Sequence, residues 1–258
     1  MIVATWNVNS LKVRIENIKK WLNENKVDFL LLQEIKGLDE DIFNEFKNIG
    51  YNTYYNLQKT YNGVAILTPH NCIIKSKFLP NFDDIQARFI EIEYNNCSII
   101  NVYIPNGNPV EENLSGEKYL YKINWLNAFY DYVKSLQNNY KNFIIGGDFN
   151  IAPKDCDVYS IEAFKNDALI QSNVREIYYK LINLGLMSVL DYKYKEEKNI
   201  FTWWDYRNFG FIKNNGAKID HILLSPYFAD KFIDVKIDKK TREDDKPSDH
   251  CPVICYLE

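Results

Sequence analysis

Several polar clusters in this 258-residue chain fall where an apolar, strand-like run gives out. They are Trp6-Asn7-Val8-Asn9, Gln33-Glu34, the stretch from Asn101 to Asn106, Gly146-Gly147-Asp148-Phe149-Asn150, Lys218-Ile219-Asp220-His221 and Pro247-Ser248-Asp249-His250. Strand ends suit chemistry, because the strand fixes a position while the loop frees the side chain. The residue types are those that phosphodiester hydrolysis requires. A hard divalent cation such as Mg²⁺ takes oxygen ligands, carboxylates among them. Glu34 and Asp249 are of that type, and Asn7 can add a carbonyl oxygen. Residues two apart in an extended segment point the same way, so Asp148 and Asn150 are expected on one face, as are Asn7 and Asn9. His250, oriented by Asp220, could hold charge beside a scissile phosphate. The Tyr103 phenol can donate to a phosphate oxygen.

Taken singly, each cluster also has an explanation without chemistry. Asn7 and Asn9 are turn formers, Glu34 could cap a following helix, and Gly-Asp-Phe-Asn fits a plain turn. Asp220 could be a solvated strand residue, and His250 a satisfied structural histidine. His70 follows Pro69 in a turn and reads as a surface residue. His221 neighbours Asp220 on a strand, should face the other way, and reads as structural.

The elements that must position these groups alternate along the chain. Residues 2–8 read as a strand, followed by a helix capped by Ser10 with Leu11, Ile15, Ile18 and Leu22 on one face. Residues 28–33 form an apolar run, as in a strand buried on both faces. Further strands are expected at 63–67, 88–94 and 98–104, the last two forming a hairpin across Asn95-Asn96. A helix is expected over 117–137 with Tyr119, Ile123, Leu126, Tyr130 and Val133 along one stripe. A strand at 142–146, a helix at 173–184 and strands near 218–224, 232–237 and 251–257 complete the pattern. Helices mixed with hairpins fit an α/β protein with a two-sheet core covered by helices. No glycine-rich phosphate loop is present.

Composition narrows the class further. With 46% hydrophobic and 26% charged residues the chain is an ordinary globular one, and at this length one domain is as plausible as two. No stretch approaches the roughly 18 to 20 apolar residues of a membrane span, and the N-terminus lacks a signal-peptide pattern, so a cytoplasmic protein is expected. Five cysteines, odd in number and without a CxxC pair, suit buried thiols rather than disulfides or zinc. The net charge of −4 gives no support by itself to a nucleic-acid partner, and a carboxylate site offset by a metal is compatible with one.

In order and spacing the motifs resemble those of the exonuclease III / AP endonuclease family, within the endonuclease/exonuclease/phosphatase superfamily. The likeness runs through WNVNSLK at 6–12, LQEIK at 32–36, NVYIPNG at 101–107, GGDFNIAP at 146–153, FTWWDYR at 201–207, NNGAKIDHILLS at 214–225 and KPSDHCPV at 246–253. It implies a four-layered α/β sandwich, two packed mixed β-sheets flanked by helices, forming a single catalytic domain over residues 1–258. It implies a metal-dependent DNA-repair phosphodiesterase that incises duplex DNA 5′ to abasic sites, with 3′→5′ exonuclease and 3′-end trimming activity. The cofactor would be Mg²⁺, with Mn²⁺ as a substitute, and the partner double-stranded DNA carrying abasic sites or blocked 3′ ends, bound by a monomer away from any membrane. By matched position, Asn7, Glu34 and Asp249 lie at the metal. Asp148 activates water or assists the leaving oxygen. Asn150, Tyr103 and His250 hold phosphate oxygens, and Asp220 fixes the imidazole. Asn9 and Asn106 are secondary contacts. Trp203 and Ile219 match positions lining a small apolar pocket for the flipped sugar, where Ala217 is smaller than the residue expected. Lys36, Arg207 and Lys218 are candidate phosphate contacts.

Two other readings compete. Another phosphodiesterase of the superfamily (an inositol-polyphosphate phosphatase, a sphingomyelinase, a secreted deoxyribonuclease) is disfavoured by FTWWDYR and NNGAKIDHILLS, or by missing secretion and disulfide signals. A catalytically inactive DNA-binding module predicts losses among Glu34, Asp148, Asn150, Asp220 and His250, and all five are present.

Overall fold

The computed structural model describes residues 1–111, 114–139, 141–195 and 197–258. Its strands are β1 (Ile2–Asn7), β2 (Phe29–Gln33), β3 (Asn52–Asn56), β4 (Val64–Thr68), β5 (Ile73–Ser76), β6 (Phe89–Tyr94), β7 (Cys97–Tyr103), β8 (Asn142–Asp148), β9 (Met187–Ser188), β10 (Trp203–Trp204), β11 (Gly216–Ala217), β12 (Asp220–Leu224), β13 (Phe232–Ile237) and β14 (Val253–Leu257). The helices are α1 (Leu11–Asn25), α2 (Asn44–Lys47), α3 (Glu117–Asn138), α4 (Ile161–Phe164), α5 (Ser172–Ile182), α6 (Val189–Lys193) and α7 (Pro226–Ala229). One six-stranded sheet has the order β13-β14-β1-β2-β4-β3, and the other β5-β6-β7-β8-β12-β9. Both are mixed, because β1 runs parallel to β2 and β7 parallel to β8 while their other neighbours are antiparallel.

Alternation along the strands builds four layers. In β1 and β2, Val3, Phe29 and Leu31 point inward against Ile90, Ile99, Ile144 and Ile222 of the other sheet. The intervening Ala4, Trp6, Leu30 and Leu32 point outward onto Leu11, Ile18, Trp21 and Leu22 of α1. On the far side, Ile100, Val102, Phe143 and Ile145 meet Trp125, Leu126 and Phe129 of α3 and Tyr178 and Leu181 of α5. This is the four-layered sandwich, and every residue of β2 and β4 is buried. One polar clamp joins the sheets: Gln33 Nε2 donates to Asn101 Oδ1 at 2.7 Å, and Asn101 Nδ2 donates to the carbonyls of Leu32 and Ala65.

Most expected elements fall in place. The hairpin closes between Tyr94 and Cys97, with Asn95 and Asn96 both left-handed (φ 49° and 59°), the backbone that a two-residue turn between twisted strands needs. Two expectations fail in detail. Ser10 does not cap α1 with its side chain; its φ is 98°, and its N–H is held instead by the Glu34 carbonyl at 2.7 Å. The buried stripe of α3 is Tyr119, Lys122, Trp125, Leu126, Phe129, Val133 and Leu136, with Ile123 and Tyr130 only half-buried. The larger rings of Trp125 and Phe129 take the sheet-facing side, because they remove more apolar area from water. Three of the five cysteines, Cys72, Cys97 and Cys156, are half-exposed, and only Cys251 and Cys255 are buried; all are free.

The topology gathers one end of both sheets. The C-terminal ends of the parallel pairs β1–β2 and β7–β8 meet the starts of β12 and β14, which run the other way. Tyr103 and Asp220 are both register partners of Asp148. Gly147 permits this closeness, since a Cβ there would sit 1.9 Å from the Val102 carbonyl oxygen.

Candidate active site

Each sheet contributes half of a connected polar cluster. From the first come Asn7 at the end of β1, Glu34 beyond β2, and Asp249 and His250 before β14. From the second come Tyr103, Asp148, Asn150 and Asp220. Asn7 Nδ2 spans the gap, donating to Glu34 Oε1 and to Asp148 Oδ2, each at 2.9 Å. The Tyr103 hydroxyl donates to the same Glu34 oxygen at 2.9 Å. Lys36 Nζ pairs with Glu34 Oε2 at 2.8 Å and donates to Asn9 Oδ1 at 2.6 Å. Asn9 Nδ2 in turn donates to Asp249 Oδ1 at 3.1 Å, and Trp203 Nε1 to Asp249 Oδ2 at 3.0 Å. Asp220 grips His250 Nδ1 with both oxygens at 2.9 and 3.1 Å, leaving Nε2 3.8 Å from Asp148 Oδ2.

The expected pairs Asn7 with Asn9 and Asp148 with Asn150 are joined backbone to side chain rather than set on one face by strand alternation. Asn9 and Asn150 are left-handed (φ 44° and 50°), and their N–H groups bond back to Asn7 Oδ1 at 3.0 Å and Asp148 Oδ1 at 2.9 Å. These are Asx turns, one after β1 and one after β8, and they curl the chain over the cleft. Asn150 is held further by its Nδ2 on the Ile104 carbonyl at 3.0 Å and by Asn106 Nδ2 on its Oδ1 at 3.3 Å.

The charges are unequal. Burial opposes a charged imidazole, but the Asp220 carboxylate outweighs it and, with Asp148 and Asp249, raises His250 to about 10. Burial pushes the Asp148 carboxyl up to about 7; His250 opposes this, and Asp220 and Glu34 reinforce it. Glu34 ends below its usual value: burial pushes it up, and Lys36 and Asn7 more than offset that. Asp249 is lowered likewise, with His250, Trp203 and Asn9 outweighing burial. Tyr103 is raised by burial and by Glu34 and Asp148, which keeps its hydroxyl a donor.

Asp148, Asp220 and His250 bring one ligand atom each within 4.8 Å of one another. Asp220 and the imidazole are already bound to each other, however, and a hard cation takes oxygen. Glu34, Asn7 and Asp249 offer an all-oxygen set linked through Asn9, which fits such an ion better.

Other candidates lie elsewhere. Lys218 is 4% exposed, with Nζ 2.8 Å from Asp157 and 2.7 Å from Asp191, so it is a buried ion-pair centre and presents no donor to a phosphate. Ile219 is 3% exposed and packs with Ala152, Val158, Phe164, Leu169 and Ala217, a cluster on which the half-buried Trp203 also rests. Trp203 does reach a cavity of about 360 Å³ with a mixed lining: Trp203, Phe164, Tyr159 and Ala163 form an apolar side, and Asn106, Asn108, Asp167, Asp205 and Arg207 a polar one. Arg207 is exposed and bound to Asp205 at 2.6 Å. His221 is buried, with Nε2 3.0 Å from the Ile151 carbonyl, and His70 is half-buried against Asp28 and Tyr94 rather than free at the surface.

Three basic residues passed over in the sequence support this end of the molecule. Arg14 binds the carbonyls of Asn9, Lys246 and Pro247 and the Tyr206 hydroxyl. Arg88 lies over the Tyr103 ring at 4.8 Å. Lys122 binds the carbonyls of Asn106 and Asn150. Only Lys122 left a signal, as a lysine in register with Tyr119, Trp125, Leu126 and Phe129.

Comparison with known proteins decides the family. The sequence profile described as the endonuclease/exonuclease/phosphatase family matches residues 4–250. The chain belongs to this family. It is 31% identical over 265 residues to an exodeoxyribonuclease III of Haemophilus influenzae, covering 98% of both chains. Among solved structures, a 3′-5′ exonuclease from Neisseria meningitidis superposes with a TM-score of 0.93 at 37% identity, covering 100% of both chains. An AP endonuclease from Archaeoglobus fulgidus gives 0.92 at 33% identity, covering 100% of this chain and 99% of that one. Within the endonuclease/exonuclease/phosphatase family the chain falls in the exonuclease III / AP endonuclease branch, and it is a hydrolytic nuclease. No helix among the described residues is long and apolar enough to cross a membrane.

Proposed function

We propose that the cleft hydrolyses phosphodiesters of duplex DNA on the 5′ side of abasic sites and trims blocked 3′ ends, as one catalytic unit acting as a monomer. The protein is a DNA-repair nuclease, and the clamp between His250 and Asp220 carries the assignment of roles. A doubly held Nδ1 aims Nε2 at Asp148 and presents a fixed positive charge where a phosphate would sit, a transition-state device that needs no reorganisation. A divalent cation, magnesium or manganese, would be held by Glu34, Asn7 and Asp249 and would supply charge against the phosphate. Asp148 takes the proton of the attacking water or returns one to the leaving oxygen at Oδ2, and its raised affinity suits either direction near neutrality. His250 Nε2 and Asn150 Nδ2 donate to phosphate oxygens, joined by the Tyr103 hydroxyl when it turns from Glu34 Oε1, with Asn9 and Asn106 flanking them. Lys36 holds Glu34 in place, and Arg207 reaches the DNA backbone from the rim.

A second reading is favoured by the polar side of the cavity beside Trp203. A pocket edged by Asn106, Asn108 and Asp167 can hydrogen-bond a 3′-terminal nucleotide, so end trimming would outweigh abasic incision. Purified protein given duplexes with either an internal abasic analogue or a 3′-phosphate, with Mg²⁺ or with chelator, tests both. Metal-dependent cleavage of either is expected. Absence of activity on both overturns the proposal, and activity on the 3′ end alone selects the second reading.

A further inference from the structure

We propose that Lys122 is a positioning residue that ties the loop after β7 to the loop after β8, so that Asn106 and Asn150 meet the phosphate in one arrangement. The inference rests on the reading that these asparagines face the phosphate.

A lysine with no exposed surface needs a reason, because lysine is almost never fully buried unless paired. Lys122 is 0% exposed, in the apolar stripe of α3 between Tyr119 and Trp125. Among the described residues it forms no ion pair. Its Nζ donates to two backbone carbonyls, those of Asn106 at 3.1 Å and Asn150 at 2.5 Å. These two residues are also bonded side chain to side chain, so lysine and amides close a ring across two loops. Asn150 is left-handed at φ 50°, as an asparagine in an Asx turn tolerates, and the Lys122 bond falls on the carbonyl of that same turn residue. The loop is shaped around the stem as well. At Gly107 (φ 85°) a Cβ would come within 2.6 Å of Lys122 Cδ.

A methionine in this stripe would satisfy packing and avoid desolvating an amine, but it would leave both carbonyls without this donor. Burial lowers the Lys122 ammonium to about 7, with Asp167 and Asp148 opposing and Arg88 reinforcing. The fold thus accepts an expensive group at a place where its contacts are the backbones of two residues proposed to bind substrate.

The test uses the full-length protein with Mg²⁺ on duplex DNA, comparing Lys122→Met, Asn150→Ala and the double variant for kcat, KM and thermal unfolding. The expected result is a roughly ten- to hundredfold fall in kcat for Lys122→Met with little change in KM, the size expected when catalytic groups are displaced by about an ångström. In the double variant the Lys122 penalty should be clearly smaller than in the single variant, since one of the two side chains it positions is gone. A purely structural lysine would lower the melting temperature and leave the kcat of the folded fraction unchanged. That outcome, or penalties that multiply independently, overturns the inference. A near-normal Asn150→Ala points instead to failure of the phosphate-binding reading. Should Lys122→Met not fold, Lys122→Gln, which keeps an N–H donor on a shorter side chain, is read by the same criteria.

Discussion

Two buried charge clusters lie along one short stretch of chain, Lys218 to Asp220, and they are built on opposite principles. Around Lys218 the charges match. Its ammonium sits between Asp157 and Asp191, and Asp191 is also met by Lys154 at 3.0 Å, Ser188 at 2.9 Å and Tyr178 at 3.2 Å. Although burial pushes the Asp191 carboxyl up, Lys218 and its neighbours hold it far below the usual aspartate range. Around Asp220 the charges do not match. One imidazole serves Asp220 and Asp148, Glu34 stands close behind, and the Asp148 carboxyl rises to about 7. A saturated cluster has nothing left to offer a ligand. A cluster short of positive charge can still take up a cation, which is the pattern expected of a working site.

The contrast can be broken in several places, the largest effect first. His250→Ala and Asp148→Asn should each lower turnover by about two to four orders of magnitude. Asp148→Asn should change the melting temperature little, whereas His250→Ala should also lower it, because it strands the buried Asp220 carboxylate. Steady-state kinetics beside calorimetry would show this, and near-normal turnover in either would remove that residue from its role. Lys218→Met should do the reverse. Stranding two buried carboxylates costs about 3–5 kcal/mol, read by urea unfolding, while the folded enzyme keeps near-wild-type kcat.

The pH dependence sharpens the same comparison. Because the folded-state pKa of Asp191 is depressed, its contribution to stability is fully present above the ordinary value of 3.8 and is lost as pH falls towards the folded value. Acid titration of unfolding should therefore be less steep in Asp191→Asn, and an unchanged slope would contradict the ion-pair account. The smallest effect is expected at the rim. Arg207→Ala should weaken DNA binding modestly and reduce the slope of log K against log salt by about one, measured by fluorescence anisotropy. No change in slope would mean that Arg207 serves only Asp205.

Much of this was legible in the sequence, for identifiable reasons. Alternation in β1 and the apolar run of β2 mark strands, and Asn7, Glu34, Asp148 and His250 stand out because polar residues at the ends of buried strands have few structural uses. Lys218 was misread because its partners, Asp157 and Asp191, are distant in sequence, and a basic residue beside a motif looks like a phosphate ligand until they close on it. Lys122 was missed because a single lysine in an amphipathic helix ordinarily lies in solvent; only its phase, in step with Trp125 and Phe129, argued otherwise. Ile219 matched a pocket position by motif, and its burial depends on how β12 packs on Phe164 and Leu169, which no local pattern encodes.

The bond between Gln33 and Asn101 has a mechanical consequence. It pins the two sheets a few residues from the place where Asn7 of one reaches Asp148 of the other. A slide of sheet on sheet would have to break that bond before Asn7 could part from Asp148. The clamp therefore sets the spacing between the two halves of the cleft.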